Sequence, residues 1–119
     1  MIRPSRGRPD DVALLPFSRS AGGQLEPSPV SHRELAGLVD RADGDARFAA
    51  TDVVMAMPPA GDGLAYATLI DSALLRGATV VAVAAHELVP GASRHHGTVA
   101  LVPGIAGIEV PPRLRAISV

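Results

Sequence analysis

The sequence predicts an α/β protein with a small parallel sheet of the Rossmann type and helices packed on it. Two apolar segments rich in β-branched residues, 51–57 (TDVVMAM) and 78–85 (ATVVAVAA), flank a segment with helical character, 64–76. Apolar runs of this length suit strands that are buried on both faces. Two such strands joined by a helix are expected to be parallel, with a right-handed crossover.

The central helix has start and stop signals at both ends. Asp62 lies between two glycines and is expected to cap the first turn, and Gly77 is a typical residue after the last turn. Thr68, Asp71 and Ser72 fall on the same stripe as Leu75, and most of the remaining surface of the helix is apolar. We therefore expect a well-buried helix with one solvent-exposed edge.

Further elements are predicted on both sides of this unit. Residues 31–34 (SHRE) form a capping-box pattern, which predicts a helix that ends near Gly44. Residues 98–102 predict another buried strand, and residues 114–119 a terminal one. The less regular segments are a short edge strand at 12–17, a loop at 18–29, and a loop or short helical turn at 88–97.

Length and composition set the limits of the function. The 119 residues support one domain, 1–119, with 1–11 as a flexible N-terminal arm, and its small core favours a homo-oligomer such as a homodimer. A net charge of −1 gives no reason to expect nucleic acid as a partner. The lack of cysteine excludes thiol chemistry, and no apolar run is long enough for a membrane span. We expect a cytoplasmic protein without a membrane partner.

Ligands of open α/β sheets bind beyond the carboxyl ends of the strands, which selects two loops, 58–63 and 86–96. The first precedes a helix and has Gly61, Asp62 and Gly63 as candidate ligand-binding residues. Asp62 would compete with a phosphate for the same N–H groups. The pattern G-x-G at 61–63 has Tyr66 where a dinucleotide fingerprint needs its third glycine, so no cofactor is expected.

A further anion-binding loop is predicted after the 12–17 strand. Ser18, Arg19 and Ser20, followed by two glycines, can bring hydroxyls, a guanidinium and backbone N–H groups together in a nest. An ordinary Ser-Gly loop is the alternative. Ser18 and Ser20 are the ligand-binding candidates here, and Arg94 in the 86–96 loop is a third.

The 86–96 loop also contains the candidates for catalysis. His86, Glu87 and His95 are the predicted catalytic residues, and His96 is adjacent. Such groups can act as an acid–base pair or bind zinc, although their spacing matches no zinc motif and we assign no metal. The alternative is a polar loop whose histidines form only local hydrogen bonds.

Residues 51–103 resemble the second half of the sugar isomerase (SIS) domain superfamily. The corresponding segments are ATDVVMAMP, PAGDG, LAYATLIDSALLRGA, TVVAVAA, HELVPGASRHHG and TVALVPG. The resemblance implies a SIS-like fold that binds phosphorylated sugars. The family's loop has Ser and Thr hydroxyls, whereas PAGDG has none, so Ser18, Ser20 and Arg94 are the expected replacements.

Three functions remain open at this point. The first is a binding domain for a phosphorylated sugar or another acidic metabolite, on a truncated SIS-like fold. The second is an oligomeric scaffold or accessory subunit without catalysis. The third is a small enzyme that uses the His/Glu cluster for acid–base or metal-assisted chemistry.

Overall fold

The computed structural model of the chain describes residues 7–58, 63–104 and 108–119. The strands are β1 (Val12–Leu14), β2 (Phe17–Arg19), β3 (Leu25–Pro27), β4 (Val30–Ser31), β5 (Val53–Ala56), β6 (Thr79–Ala82), β7 (Val99–Val102) and β8 (Arg115–Ser118). The helices are α1 (His32–Ala46), α2 (Gly63–Leu75) and α3 (Leu88–His95), and a 3-10 turn (Ala85–Glu87) precedes α3.

The main sheet is parallel throughout and has the strand order β6-β5-β7-β8. β5 lies near the middle, where Val54 pairs with Val80 on one side and with Val99 on the other. The fully buried residues of β5 and β7 explain why these segments are apolar without alternation. The predicted α/β fold with a small parallel sheet is confirmed.

Helices cover both faces of this sheet. On one face, residues of α1, α2 and the following segments pack against Val54 and Leu101; on the other, Leu88 and Ala92 of α3 pack against Met55. This division follows from the topology. β6 and β7 lie on opposite sides of β5, so right-handed crossovers place α2 and α3 on opposite faces.

The predicted solvent-exposed edge of α2 is wrong at its two hydroxyl residues and is exposed only towards the end of the helix. Thr68 and Ser72 are 5% and 0% exposed, whereas Leu75 is 77% exposed. The polar stripe is buried because α1 packs there, and the hydroxyls find partners: Ser72 donates to the Asp43 carboxylate (3.3 Å) and Thr68 to the Ala65 carbonyl (2.9 Å). The helix therefore exposes leucine and buries hydroxyls.

The segment before α1 contains two antiparallel strand pairs, β1 with β4 and β2 with β3. The predictions of one strand over 12–17 and a loop over 18–29 are both wrong. Pro16 has no N–H and separates β1 from β2, while its carbonyl accepts from the Ser28 N–H. Gly23, with φ of 79°, closes the turn that joins β2 to β3.

Helix α1 begins as the capping box predicts. The Ser31 hydroxyl accepts a hydrogen bond from the Glu34 N–H (3.1 Å). The N–H groups of His32 and Arg33 in the first turn donate to the carbonyls of Asp11 and Pro9, so the described part of the predicted arm, 7–11, contacts the helix. The helix ends two residues beyond Gly44, where Arg47 adopts a left-handed conformation and caps it.

Helix α3 replaces the loop or short turn expected at 88–97. Two glycines allow it to lie close to the sheet: a Cβ on Gly97 would be 2.8 Å from Cγ of Met55, and one on Gly91 would be 3.3 Å from Cε of Met55. The burial of Leu88 and Ala92 stabilises a segment whose Pro90 and Gly91 favour a loop in isolation.

Within the described ranges, the structure contains no helix that is both long enough and apolar enough to span a membrane.

Candidate functional site

The carboxyl edge of the parallel sheet is where α2 begins and where β8 ends. Two cavities lie at this edge, one beside the β2–β3 hairpin and one between α1, α2 and β8. Both include residues of the first turn of α2. This is the edge at which open α/β sheets bind their ligands.

The first cavity, here named the hairpin cleft, has a volume of about 700 Å³. It is lined by Pro16, Phe17, Ser18, Arg19, Ser28, Gly63 and Leu64. Its polar groups are two hydroxyls and one guanidinium. Nη1 of Arg19 donates to the Gly23 carbonyl (2.9 Å), which ties the side chain to the hairpin while its other N–H groups remain available.

The turn of the hairpin uses some of the backbone groups that an anion nest would need. The Gly23 N–H donates to the Ser20 carbonyl (2.9 Å), and the Ser20 N–H donates to the Gln24 carbonyl (2.8 Å). The side chains of Ser18, Arg19 and Ser28 are therefore the main groups of the hairpin cleft that can contact an anion.

The second cavity, here named the apolar pocket, has a volume of about 360 Å³. Its lining is Leu38, Arg41, Ala42, Asp45, Leu64, Ala65, Thr68, Leu69, Ile117 and Ser118. Leu64 lines both cavities. A polar, positively charged space and a largely apolar one thus meet at the first turn of α2.

The predicted ligand-binding residues have different outcomes. Gly61 and Asp62 lie outside the described residues. Gly63 is the first residue of α2 and lines the hairpin cleft, as does Ser18. Ser20 is half-buried in the hairpin turn.

The structure does not bring the predicted catalytic residues together. His86 and Glu87 follow β6 at the carboxyl edge, where Nε2 and Oε1 are 3.4 Å apart and both side chains are exposed. α3 then carries the chain back across the sheet, and Thr98 donates its N–H to the Val53 carbonyl at the amino edge. His95 therefore lies near the opposite edge, roughly one strand length or about 13 Å away.

Arg94 and His96 lie with His95 at the exposed end of α3, and neither lines the hairpin cleft. The described residues contain no group of three His, Cys, Asp or Glu side chains that could hold a metal ion. The physical reason is the helix: residues that would be neighbours in a loop become the two ends of α3.

Sequence reasoning missed Ser28, Leu64, Ile117 and Ser118 as site residues. The pairing of β2 with β3 brings Ser28 next to Pro16, and a strand–turn–strand pattern around Gly22 and Gly23 was the available signal. The contribution of β8 depends on the strand order, for which the sequence offers no direct signal.

No family model matches the sequence, and no curated protein matches it either. Solved structures do match. CmiS6 is 18% identical, with a TM-score of 0.70, over 92% of this chain and 27% of that one. The artificially fused Adenylation-PCP di-domain NRPS NpsA-ThdA from Klebsiella oxytoca is 15% identical, with a TM-score of 0.64, over 92% of this chain and 20% of that one.

The Mycobacterium tuberculosis fatty acyl CoA synthetase is 20% identical, with a TM-score of 0.59, over 78% of this chain and 22% of that one. The chain thus spans about a quarter of the length of these structures. At these identities the likeness shows a shared fold.

These neighbours overturn the resemblance to sugar isomerase domains, because they include an adenylation di-domain protein and a fatty acyl CoA synthetase. The SIS-like assignment, and the phosphorylated-sugar function inferred from it, are wrong. The resemblance rested on the order strand, loop, helix, strand and on an apolar composition. Many doubly wound α/β folds share those features, so the pattern could not distinguish a sugar isomerase domain from another fold of this class.

Proposed function

We propose that this chain forms part of an adenylate-forming domain that activates a carboxylic acid. The hairpin cleft contacts the phosphate groups of a nucleotide, and the apolar pocket receives the hydrocarbon part of the acid. The observation that carries this proposal is the shared position of Leu64, which makes the charged and apolar cavities adjacent. Similarity in fold to adenylation and acyl-CoA synthetase proteins supports it.

The chemistry of adenylation fits this division. A carboxylate oxygen attacks the α-phosphorus of ATP, a new bond forms between that oxygen and phosphorus, and pyrophosphate leaves with the electrons of the broken P–O bond. The phosphates carry several negative charges in the process. Arg19 can donate charge-assisted hydrogen bonds to a phosphate, and the hydroxyls of Ser18 and Ser28 can add neutral ones.

The apolar pocket has a suitable size for the acid. Its volume of about 360 Å³ lies within the usual range of small-molecule sites, roughly 300 to 1,000 Å³. Leu38, Leu64, Leu69 and Ile117 provide apolar contacts. Ser18 and Arg19 are exposed, so the phosphate groups of a nucleotide can approach both side chains from solvent.

The role of the hairpin cleft is tested by measuring ATP affinity by calorimetry for the wild type and for Arg19→Ala. Loss of a charge-assisted hydrogen bond is expected to weaken binding about tenfold. Arg113→Ala is the matched control, because it removes the same charge just before β8, at the amino edge of the sheet. Equal affinities of wild type and Arg19→Ala would remove Arg19 from the site.

The predicted homo-oligomer stays a prediction, as does the absence of nucleic-acid and membrane partners.

A further inference from the structure

A third cavity lies away from the proposed active site, between the first half of α1 and the end of α2. This α1/α2 groove is open and has a volume of about 510 Å³. It is lined by His32, Leu35, Ala36, Val39 and Asp40 of α1 and by Asp71, Leu74 and Leu75 of α2. These positions are spaced as i, i+3, i+4, so each helix contributes one continuous stripe.

The floor of the groove is apolar, and its α2 side is exposed. Leu74 is 56% exposed and Leu75 is 77% exposed, although both lie on a helix that otherwise packs against the sheet and α1. Half-buried Leu35 and Val39, which is only 7% exposed, provide the facing stripe. Exposed contiguous apolar surface with a polar border is typical of a surface that binds another polypeptide.

The border of the groove is acidic. Asp40 borders it on α1 and Asp71 on α2, and the other ionisable lining residue is His32. A second copy of this chain docked through the same groove would bring like carboxylates together, which is unfavourable. A partner with lysine or arginine beside its apolar residues complements the groove instead.

We propose that the α1/α2 groove binds an amphipathic basic helix of a partner protein. Two parallel rows of side chains on neighbouring helices accept the ridge of a third helix between them. The α1 stripe from His32 to Asp40 rises about 12 Å, or roughly two helical turns. Aliphatic residues spaced i, i+4, i+7 on the partner contact Leu35, Leu74 and Leu75, and its basic residues pair with Asp40 and Asp71.

The test uses the 119-residue protein and two fluorescent peptides of about 18 residues. Both peptides have the same leucine positions, and their polar positions are lysine in one and glutamate in the other. Fluorescence anisotropy measures binding at low and high salt. The groove predicts that the lysine peptide binds at least about tenfold more tightly than the glutamate peptide, and that salt weakens the difference.

Three variants locate the binding. Leu75→Lys should abolish binding of the lysine peptide, and Asp40→Asn with Asp71→Asn should reduce it to the level of the glutamate peptide. Val89→Lys is the matched control: Val89 is 55% exposed on α3, on the other face of the sheet, and its substitution should leave binding unchanged. Circular dichroism confirms that each variant is folded.

Several results would overturn the proposal. These are equal binding of both peptides, no binding of either, or loss of binding in Val89→Lys but not in Leu75→Lys. Self-association that Leu75→Lys removes, measured by sedimentation without peptide, would assign the groove to a second copy instead. ATP affinity reports separately on the hairpin cleft, so failure here leaves the proposed function untouched.

Discussion

Asp43, near the end of α1, is held by Ser72 of α2 and by Arg76, which directly follows α2. Nε of Arg76 donates to Oδ1 (2.8 Å), Nη2 of Arg76 donates to Oδ2 (2.5 Å), and the buried Ser72 hydroxyl donates to Oδ1 as well. The hydrogen bonds from Arg76 lower the pKa of Asp43 below its ordinary value, and its partial desolvation opposes them. This pair links α1 to α2 on the face that the sequence predicted to be solvent-exposed.

Asp43→Asn should therefore destabilise the protein in a pH-dependent way. The lowered pKa means that ionised Asp43 contributes stability above its ordinary pKa, and that this contribution is lost as pH falls through the folded-state pKa. Urea midpoints of wild type and Asp43→Asn should differ at neutral pH and converge in strong acid. Asp45→Asn is the control, since Asp45 has no ion pair among the residues described. A difference that persists in acid would contradict this role.

Substitution of Gly97 by alanine and substitution of Gly37 by alanine should change the stability of the protein in opposite directions. A Cβ on Gly97 would meet Met55 at 2.8 Å and the Ala92 backbone at 3.3 Å, whereas one on Gly37 meets nothing within 4 Å. Gly97→Ala should lower the free energy of unfolding by about 1 to 3 kcal/mol, since the core beneath α3 is closely packed. Gly37→Ala should raise it by roughly 0.5 to 1 kcal/mol, because Gly37 lies inside α1. Chemical denaturation measures both, and a stabilised Gly97→Ala protein would refute the close packing.

At the scale of the elements, the sequence correctly predicted the segments whose local residue pattern is enough to specify a strand or a helix. β5, β6 and β7 are apolar runs, α2 lies between clear signals, and α1 begins at its capping box. α3 was missed because Pro90 and Gly91 favour a loop, and only burial against Met55 makes it a helix. The hairpin of β2 and β3 was missed because its strands have three exposed residues each and no alternation.

β8 is an edge strand, and Arg115 anchors it to the end of α1. Nη1 of Arg115 donates to the Ala46 carbonyl (2.5 Å), one of the unpaired carbonyls of the last turn, and the guanidinium lies 5.9 Å from the centre of the Phe48 ring. Arg115→Ala should raise the amide exchange of β8 by roughly tenfold, through loss of a hydrogen bond to a charged group. Hydrogen exchange read by NMR tests this, and Arg113→Ala should leave β8 unchanged. Uniform acceleration across the whole sheet would instead indicate global destabilisation.

At the scale of the whole molecule, the chain exposes more surface than its size requires. Its accessible area is 8036 Å², whereas a monomeric protein of 12.2 kDa is expected to expose about 6,100 Å². Its radius of gyration of 16.2 Å likewise exceeds the expected value of about 13.5 Å. Exposed large apolar residues occur on the hairpin, on α2 and on α3: Phe17, Leu25, Leu74, Leu75 and Val89. Exposed apolar residues of this kind are where contacts with another polypeptide are most often made.

The candidate site could be predicted only in part from the sequence. The rule that ligands bind at the carboxyl ends of strands selected the edge at which Gly63 lines the hairpin cleft, and the hydroxyls after the first predicted strand include Ser18, which lines it too. That these residues bind a ligand stays a prediction. His86 and His95 were expected to lie together in one loop, but residues 88–95 form a helix, which places them at its two ends. The adjacency of the hairpin cleft to the apolar pocket depends on packing between distant segments, and no local pattern predicts it.

The most direct test of the proposed adenylate-forming site is an NMR titration of the ¹⁵N-labelled protein with ATP. We expect shifts at Ser18, Arg19, Ser28, Gly63 and Leu64, the residues at which the hairpin meets α2, and in Arg19→Ala we expect the shifts of the other four residues to need about tenfold more ATP. Shifts confined to the end of α3, around His95 and His96, or no shifts up to millimolar ATP, would contradict the placement of a nucleotide in the hairpin cleft.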